Sequence, residues 1–240
     1  MIEITMLYDN ISRHPDLTAG WGLSCLIEGA EKTILFDTGG DGQILLSNME
    51  RLEKDPLSVD TVVLSHVHGD HTGGLEDLLR AAGKVALYVP RSFPDRFIAD
   101  ATEMGYEVTA VDRPVAISDN VFSTGQMGGA IKEQALVLKT AGDLVVIMGC
   151  AHPGVVEMLK RAKQVGTGEL YLALGGFHLM GYAEQDLRNV IQTLKGLGLK
   201  KIAPCHCTGD RSIDMFREAW QADSIPLGCG EHITLSGLDE

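Results

Sequence analysis

The sequence predicts a mixed α/β (α+β) fold, a four-layer αββα sandwich in which two sheets pack face to face and helices cover their outer sides. Three observations predict it. Short strand-length apolar runs recur in both halves of the chain, helix-period segments fall between them, and antiparallel pairs mix with helices that need an outer face to cover. At 240 residues, with 45% hydrophobic and 22% charged residues, the chain has the make-up of a globular protein with a sizeable core. No Pro/Gly/Ser-rich linker, low-complexity tract or internal repeat divides it, so residues 1–240 are expected to form a single domain.

In order, alternating or continuous apolar residues predict strands over 3–8, 23–28 and 33–37, a helix over 43–52 and a strand over 59–65. A helix over 74–82, a strand over 85–89, a helix over 92–104 and a strand over 107–111 complete the first half. The second half predicts strands over 135–140 and 144–149, joined as a hairpin around Ala141-Gly142-Asp143, and a helix over 155–164. A strand over 170–174, a helix over 184–197, a strand over 201–205, a helix over 211–222 and short strands near Ile225 and Ile233 follow. On this plan the functional side chains leave strand ends at one rim.

The chemistry concentrates at the end of the 59–65 strand, where His66-Val67-His68-Gly69-Asp70-His71 follows Ser65. Residues two apart in an extended segment point the same way, so His66 and His68 converge on one ion. Gly69 lets the backbone turn, and Asp70 with His71 then reaches a second ion. Imidazole nitrogen and carboxylate oxygen suit zinc, iron or manganese. Two further histidines sit in loops that follow strands and begin helices: His152 is assigned to the ion of His66 and His68, and His206 to that of Asp70 and His71. Three protein ligands per ion leave room for water, as in a catalytic site. Thus two divalent metal ions are expected, zinc first with iron or manganese as alternatives, and occupancy of the second site is left open.

Other residues take supporting roles. Asp37 ends an apolar strand, where a carboxylate needs a partner: it either orients a ligand histidine or caps a helix. His178 either faces the pocket, holding substrate or moving a proton, or is a hydrogen-bonded structural histidine. Backbone N–H groups of Thr72, Gly73 and Gly74, opening a helix, are expected to hold an anion. His14 and His232 are read as surface residues. The five cysteines include no Cys-x-x-Cys pair; most are expected to be buried thiols, with Cys150 as an additional metal ligand.

Composition narrows the function. A net charge of −13 and the lack of a Lys/Arg cluster exclude a polyanion-binding surface, so nucleic acid is not an expected partner. No apolar run approaches a membrane span, and the N-terminal residues read at once as a strand, so a cytoplasmic protein is expected. The expected partner is a small molecule; self-association is left open.

The motif His66-x-His68-x-Asp70-His71 resembles that of the metallo-β-lactamase superfamily. Tyr8-Asp9-Asn10, Phe36-Asp37-Thr38-Gly39, Gly149-Cys150-Ala151-His152, Gly176-Phe177-His178-Leu179 and Pro204-Cys205-His206-Cys207-Thr208-Gly209 are similar to the branch with the archaeal dihydropterin ribofuranosylaminobenzene phosphate synthase and many metal-dependent hydrolases. The chain departs from the superfamily pattern where Cys150 stands in place of a bridging Asp. It also lacks a third-motif histidine in 121–126, for which His152 substitutes.

The expected activity is hydrolysis of a small, anionic ester or phosphoester by metal-activated water, which Asp70 orients while the second ion stabilises developing charge. The resemblance also implies a group transfer, in which pyrophosphate leaves a dihydropterin methyl carbon and an aromatic amine attacks. A third reading is a non-enzymatic iron or redox module using Cys150, Cys205 and Cys207 with the histidines.

Overall fold

The computed structural model describes residues 1–235. One sheet contains β1 (Ile2–Tyr8), β2 (Ser24–Glu28), β3 (Ile34–Phe36), β4 (Thr61–Val63), β5 (Ala86–Pro90), β6 (Glu107–Val111) and β13 (His232–Leu235), in the order β13-β1-β2-β3-β4-β5-β6. The other contains β7 (Val115–Ser118), β8 (Val121–Ser123), β9 (Leu136–Thr140), β10 (Asp143–Met148), β11 (Glu169–Gly176) and β12 (Lys201–Cys205), in the order β12-β11-β10-β9-β8-β7.

Strand periodicity builds the layers. Ile34 and Phe36 point between the sheets with Met6, Ile27, Val145, Ile147, Leu172 and Leu174, whereas Leu35 points outward. Outside the first sheet, Leu35, Val62 and Leu87 pack on α1 (Gly42–Arg51) and α3 (Leu75–Ala82) through Leu45, Met49, Leu78 and Leu79. Outside the second, Val146, Met148 and Ala173 pack on α5 (Val155–Val165), α6 (Glu184–Gly196) and α7 (Asp210–Trp220) through Leu159, Leu187 and Phe216. Strands buried on both faces read as continuous apolar runs, as Leu144–Met148 does. The expected αββα sandwich is the observed architecture.

Several boundaries differ for local reasons. The helix expected over 92–104 is α4 (Asp95–Glu103), because Pro94 fixes its N-cap. The helix over 43–52 begins at Gly42, capped by Asp41 Oδ1, which accepts from the N–H groups of Gln43 and Ile44. A four-residue turn of helix, α2 (Gly69–Thr72), precedes α3. The strand expected near Ile225 is corrected to an isolated bridge between Ser224 and Ile202, since Pro226 follows with no N–H for a ladder. The β7–β8 hairpin, too short to show a period, is absent from the sequence reading. Among the described residues no helix is long and apolar enough to cross a membrane.

β3 and β4 are parallel, as are β10, β11 and β12. Their carboxyl ends release Asp37, Ser65-His66, Cys150, His178 and His206 at one rim.

Candidate metal centre

The rim gathers donors from four segments. One potential ligand atom from each of His66, His68 and His152 lies within 4.8 Å of the others. The same spacing of 4.8 Å or less holds among Asp70, His71, Cys150 and His206. Cys150 also lies within this reach of His152 and His178, so its sulfur sits between the two groups. The His66 and His71 ring centroids are 4.3 Å apart, joining the groups.

What aims these rings is a set of hydrogen bonds at their far nitrogens. His71 Nδ1–H donates to Asp37 Oδ2 at 2.7 Å, both side chains being fully buried. Ser65 Oγ–H donates to the same oxygen at 2.7 Å, and His66 Nδ1–H donates to Ser65 Oγ at 2.9 Å. His206 Nδ1–H donates to Asn10 Oδ1 at 2.9 Å, while Asn10 Nδ2–H donates to the His206 carbonyl at 3.1 Å. Each bond leaves an Nε2 lone pair facing the cluster, the tautomer a metal ligand needs. His206 Nε2 is buried without a hydrogen-bond partner. His66 Nε2 lies 3.1 Å from His68 Nδ1 and 3.3 Å from His152 Nε2. Inward lone pairs at this spacing, one of them orphaned, fit a divalent cation, and the N, O and S donors suit zinc, iron or manganese.

The backbone is bent to achieve this. Asp37 (φ 58°), Ala151 (φ 56°), His178 (φ 52°) and His206 (φ 50°) adopt left-handed conformations. For residues with a Cβ this is uncommon, and such strain concentrates at functional sites.

Asp37 thus orients His71 directly and His66 through Ser65, while the helix cap belongs to Asp41. The sequence reading assigns no role to two further residues. Glu133, fully buried, accepts from the N–H groups of Cys150 (2.9 Å), Ala151 (2.8 Å) and His152 (2.8 Å), and so holds the loop that presents Cys150 and His152. Asn10 grips His206. Neither carries a local signal of its role in the sequence, since each acts on groups far along the chain.

The anion-binding expectation for Thr72, Gly73 and Gly74 is corrected. Their N–H groups donate to the carbonyls of His68 (3.1 Å), Gly69 (2.8 Å) and Gly39 (3.3 Å), leaving none for an anion. Gly73 and Gly74 permit close packing instead, since a Cβ there would collide with the carbonyls of Gly40 and Thr38. Of the three cysteines in the iron or redox reading, Cys150 alone joins a donor group among the described residues. Cys205 lies in the core between the sheets, and among the described residues no donor group contains two cysteines. The His178 ring lies 4.4 Å from that of His152, tilted by 48°, at the exposed edge of the site. His14 and His232 are exposed and lie beside Asp16 and Glu3, outside both donor groups.

The electrostatics favour cation binding. Burial and the neighbouring His71 and His152 push the His66 pKa far down. Burial, with His178 and His68, lowers that of His152 to about 4. Burial also lowers His206. For His71 burial acts in the same direction, but Asp37 overrides it and raises the pKa. Burial opposes the Asp70 carboxylate, yet His206, whose Nε2 lies 3.3 Å from Asp70 Oδ2, and the charge of His71 hold its pKa low. His66, His152 and His206, unprotonated at neutral pH beside a carboxylate, are poised as ligands.

Residues 18–125 match the family model of the metallo-beta-lactamase superfamily. The chain is 30% identical to the 7,8-dihydropterin-6-methyl-4-(beta-D-ribofuranosyl)-aminobenzene-5'-phosphate synthase of Methanocaldococcus jannaschii, over 88% of this chain and 89% of that protein. Its fold is similar to that of a metal-dependent hydrolase of the beta-lactamase superfamily, with a TM-score of 0.81, 24% identity and coverage of 98% of this chain and 100% of the other. It is also similar to that of the short form of human tRNase Z, with a TM-score of 0.68, 15% identity and coverage of 97% and 98%. The motif, the sandwich and the full-length relative agree that this chain belongs to the metallo-beta-lactamase superfamily.

Proposed function

We propose that the chain is a metal-dependent hydrolase of a small, anionic ester or phosphoester. His66, His68 and His152 hold one divalent ion; Asp70, His71 and His206, with Cys150, hold a second. The observation that carries this reading is the convergence of two donor groups whose outer nitrogens are fixed by Asp37, Ser65 and Asn10. Bound divalent ions would supply Lewis acidity, lowering the pKa of water from about 15.7 towards about 7 and offsetting charge that develops on the reacting group.

The chain's own residues do the rest. Asp70, with its side chain 22% exposed, accepts a hydrogen bond from the attacking water and orients it. His178, at the exposed edge beside His152, delivers a proton to the departing oxygen. Glu133 and Asp37 keep the ligand loops in place.

The second reading is group transfer of the kind named for the Methanocaldococcus jannaschii relative, favoured by 30% identity over 88% of the chain. Purified protein of measured metal content, incubated with a phosphoester panel and separately with dihydropterin pyrophosphate and an aromatic amine acceptor, separates the two. Metal-dependent release of alcohol or phosphate supports hydrolysis. Pyrophosphate release that requires the amine supports transfer, and chelator-insensitive behaviour in both assays removes both.

A further inference from the structure

We propose that Trp21 is the platform on which a planar aromatic or heteroaromatic ring of the substrate rests, beside the Asp70–His206 half of the centre. Its indole is 54% exposed, although the core offers burial on both sides of the sheet. Its ring centroid lies 5.0 Å from that of His206, at an interplanar angle of 56°.

The backbone beneath the indole is pinned. Gly20 N–H donates to the Asp9 carbonyl (3.0 Å), Gly22 N–H to Asn10 Oδ1 (3.2 Å) and Leu23 N–H to the Asp70 carbonyl (3.3 Å). A Cβ at Gly22 would collide with the Asp70 carbonyl, and one at Gly20 with the Tyr8 ring, so glycine on each side permits this close seat. The Asn10 amide that aims His206 therefore also anchors the Trp21 loop, and the indole has a defined position relative to the donors.

Three other exposed apolar side chains, Val67, Met180 and Tyr182, fall on the segments that carry donors. Val67, 42% exposed, stands between His66 and His68. Met180 (57%) and Tyr182 (45%) follow His178, and Met180 packs against Gly209, three residues beyond His206. Exposed apolar surface concentrated at a site marks a ligand-binding edge. A rigid indole face gains more from a flat ring in offset contact than from an aliphatic group of equal size. The substrate thus combines an anionic reacting group, turned to the donors, with a ring turned to Trp21.

The anionic half of this assignment rests on the hydrolytic reading, whereas the stacking half is tested without turnover. Titration calorimetry on the zinc-loaded full-length protein compares benzylphosphonate with cyclohexylmethylphosphonate, which share an anionic group and carbon count and cannot be hydrolysed at the C–P bond. The expected result is about fivefold tighter binding of the benzyl compound. That preference is lost in Trp21→Ala and kept in Trp21→Phe, with zinc content unchanged in both. Equal affinities, a preference that survives Trp21→Ala, or binding of neither compound overturns the proposal. Benzyl phosphate turnover is followed in parallel: no turnover with an intact, Trp21-dependent preference removes the hydrolytic reading and leaves the platform standing.

Discussion

Asp37 Oδ2 lies 2.7 Å from His71 Nδ1, and the same oxygen accepts the Ser65 hydroxyl that receives the His66 Nδ1–H. One buried carboxylate therefore sets the orientation of a histidine in each donor group. Replacing it with Asn keeps the volume but removes a charged acceptor. Asp37→Asn is expected to lower metal affinity by about 10–100-fold, measured by competition with a chromophoric chelator. Wild-type affinity in that variant would mean that Asp37 does not govern the ligand orientation.

Much of this site was legible because His66, His68, Asp70 and His71 are contiguous and follow a strand whose period sets their direction. Asp37 was legible for a related reason: a carboxylate closing the apolar run Ile34-Leu35-Phe36 demands a partner. Glu133 and Asn10 were not, since each acts on backbone or side chains far along the chain, and nothing local distinguishes them from surface polar residues. The Thr72-Gly73-Gly74 expectation failed because whether a backbone N–H is free depends on which carbonyl tertiary packing brings to it. The layers of the fold were readable from apolar periods, while β7 and β8, with four and three residues, are too short to carry one.

Glu133 makes a strong stability prediction. Its fully buried carboxylate satisfies three successive N–H groups, so Glu133→Ala leaves them all without an acceptor. A loss of about 3 kcal/mol or more is expected in denaturant unfolding. The milder Glu133→Gln retains the shape with a weaker acceptor and should fold. It is expected to empty the His66–His68–His152 group before the other, read as reduced metal stoichiometry; full stoichiometry with unchanged affinity would refute the positioning role.

Stability of the metal-free protein should fall as pH drops through about 6.5, the pKa that histidine has in the unfolded chain. The folded-state pKa values of His66, His152 and His206 are depressed, so below that pH the unfolded chain takes up protons that the folded chain refuses. His71 opposes this: its folded pKa is raised, so its contribution is present below pH 6.5 and lost as pH rises through the folded value. Burial also raises the Asp9 and Glu133 carboxyls, which act with His71 towards the acid end of the range; the three depressed histidines outweigh these, and a declining Tm between pH 7.5 and pH 5 is expected by calorimetry of chelator-treated protein. A Tm that rises over this interval would show that the His71–Asp37 pair dominates.

Cys150 decides what kind of second site this is. Its Sγ lies 3.2 Å from His71 Nε2, and the neighbouring Cys207 together with burial pushes its pKa well above the ordinary thiol range. Without an ion it therefore remains a protonated thiol at neutral pH, and coordination must release that proton. A soft sulfur ligand also favours zinc, cobalt or iron over manganese. Cobalt-substituted wild-type protein is expected to show sulfur-to-metal charge-transfer absorption that Cys150→Ser lacks, and calorimetry in buffers of different ionisation enthalpy should count about one more proton released by the wild type. Identical spectra and proton release in the two proteins would place the sulfur outside the coordination sphere and leave Asp70, His71 and His206 as the ligands of that half of the centre.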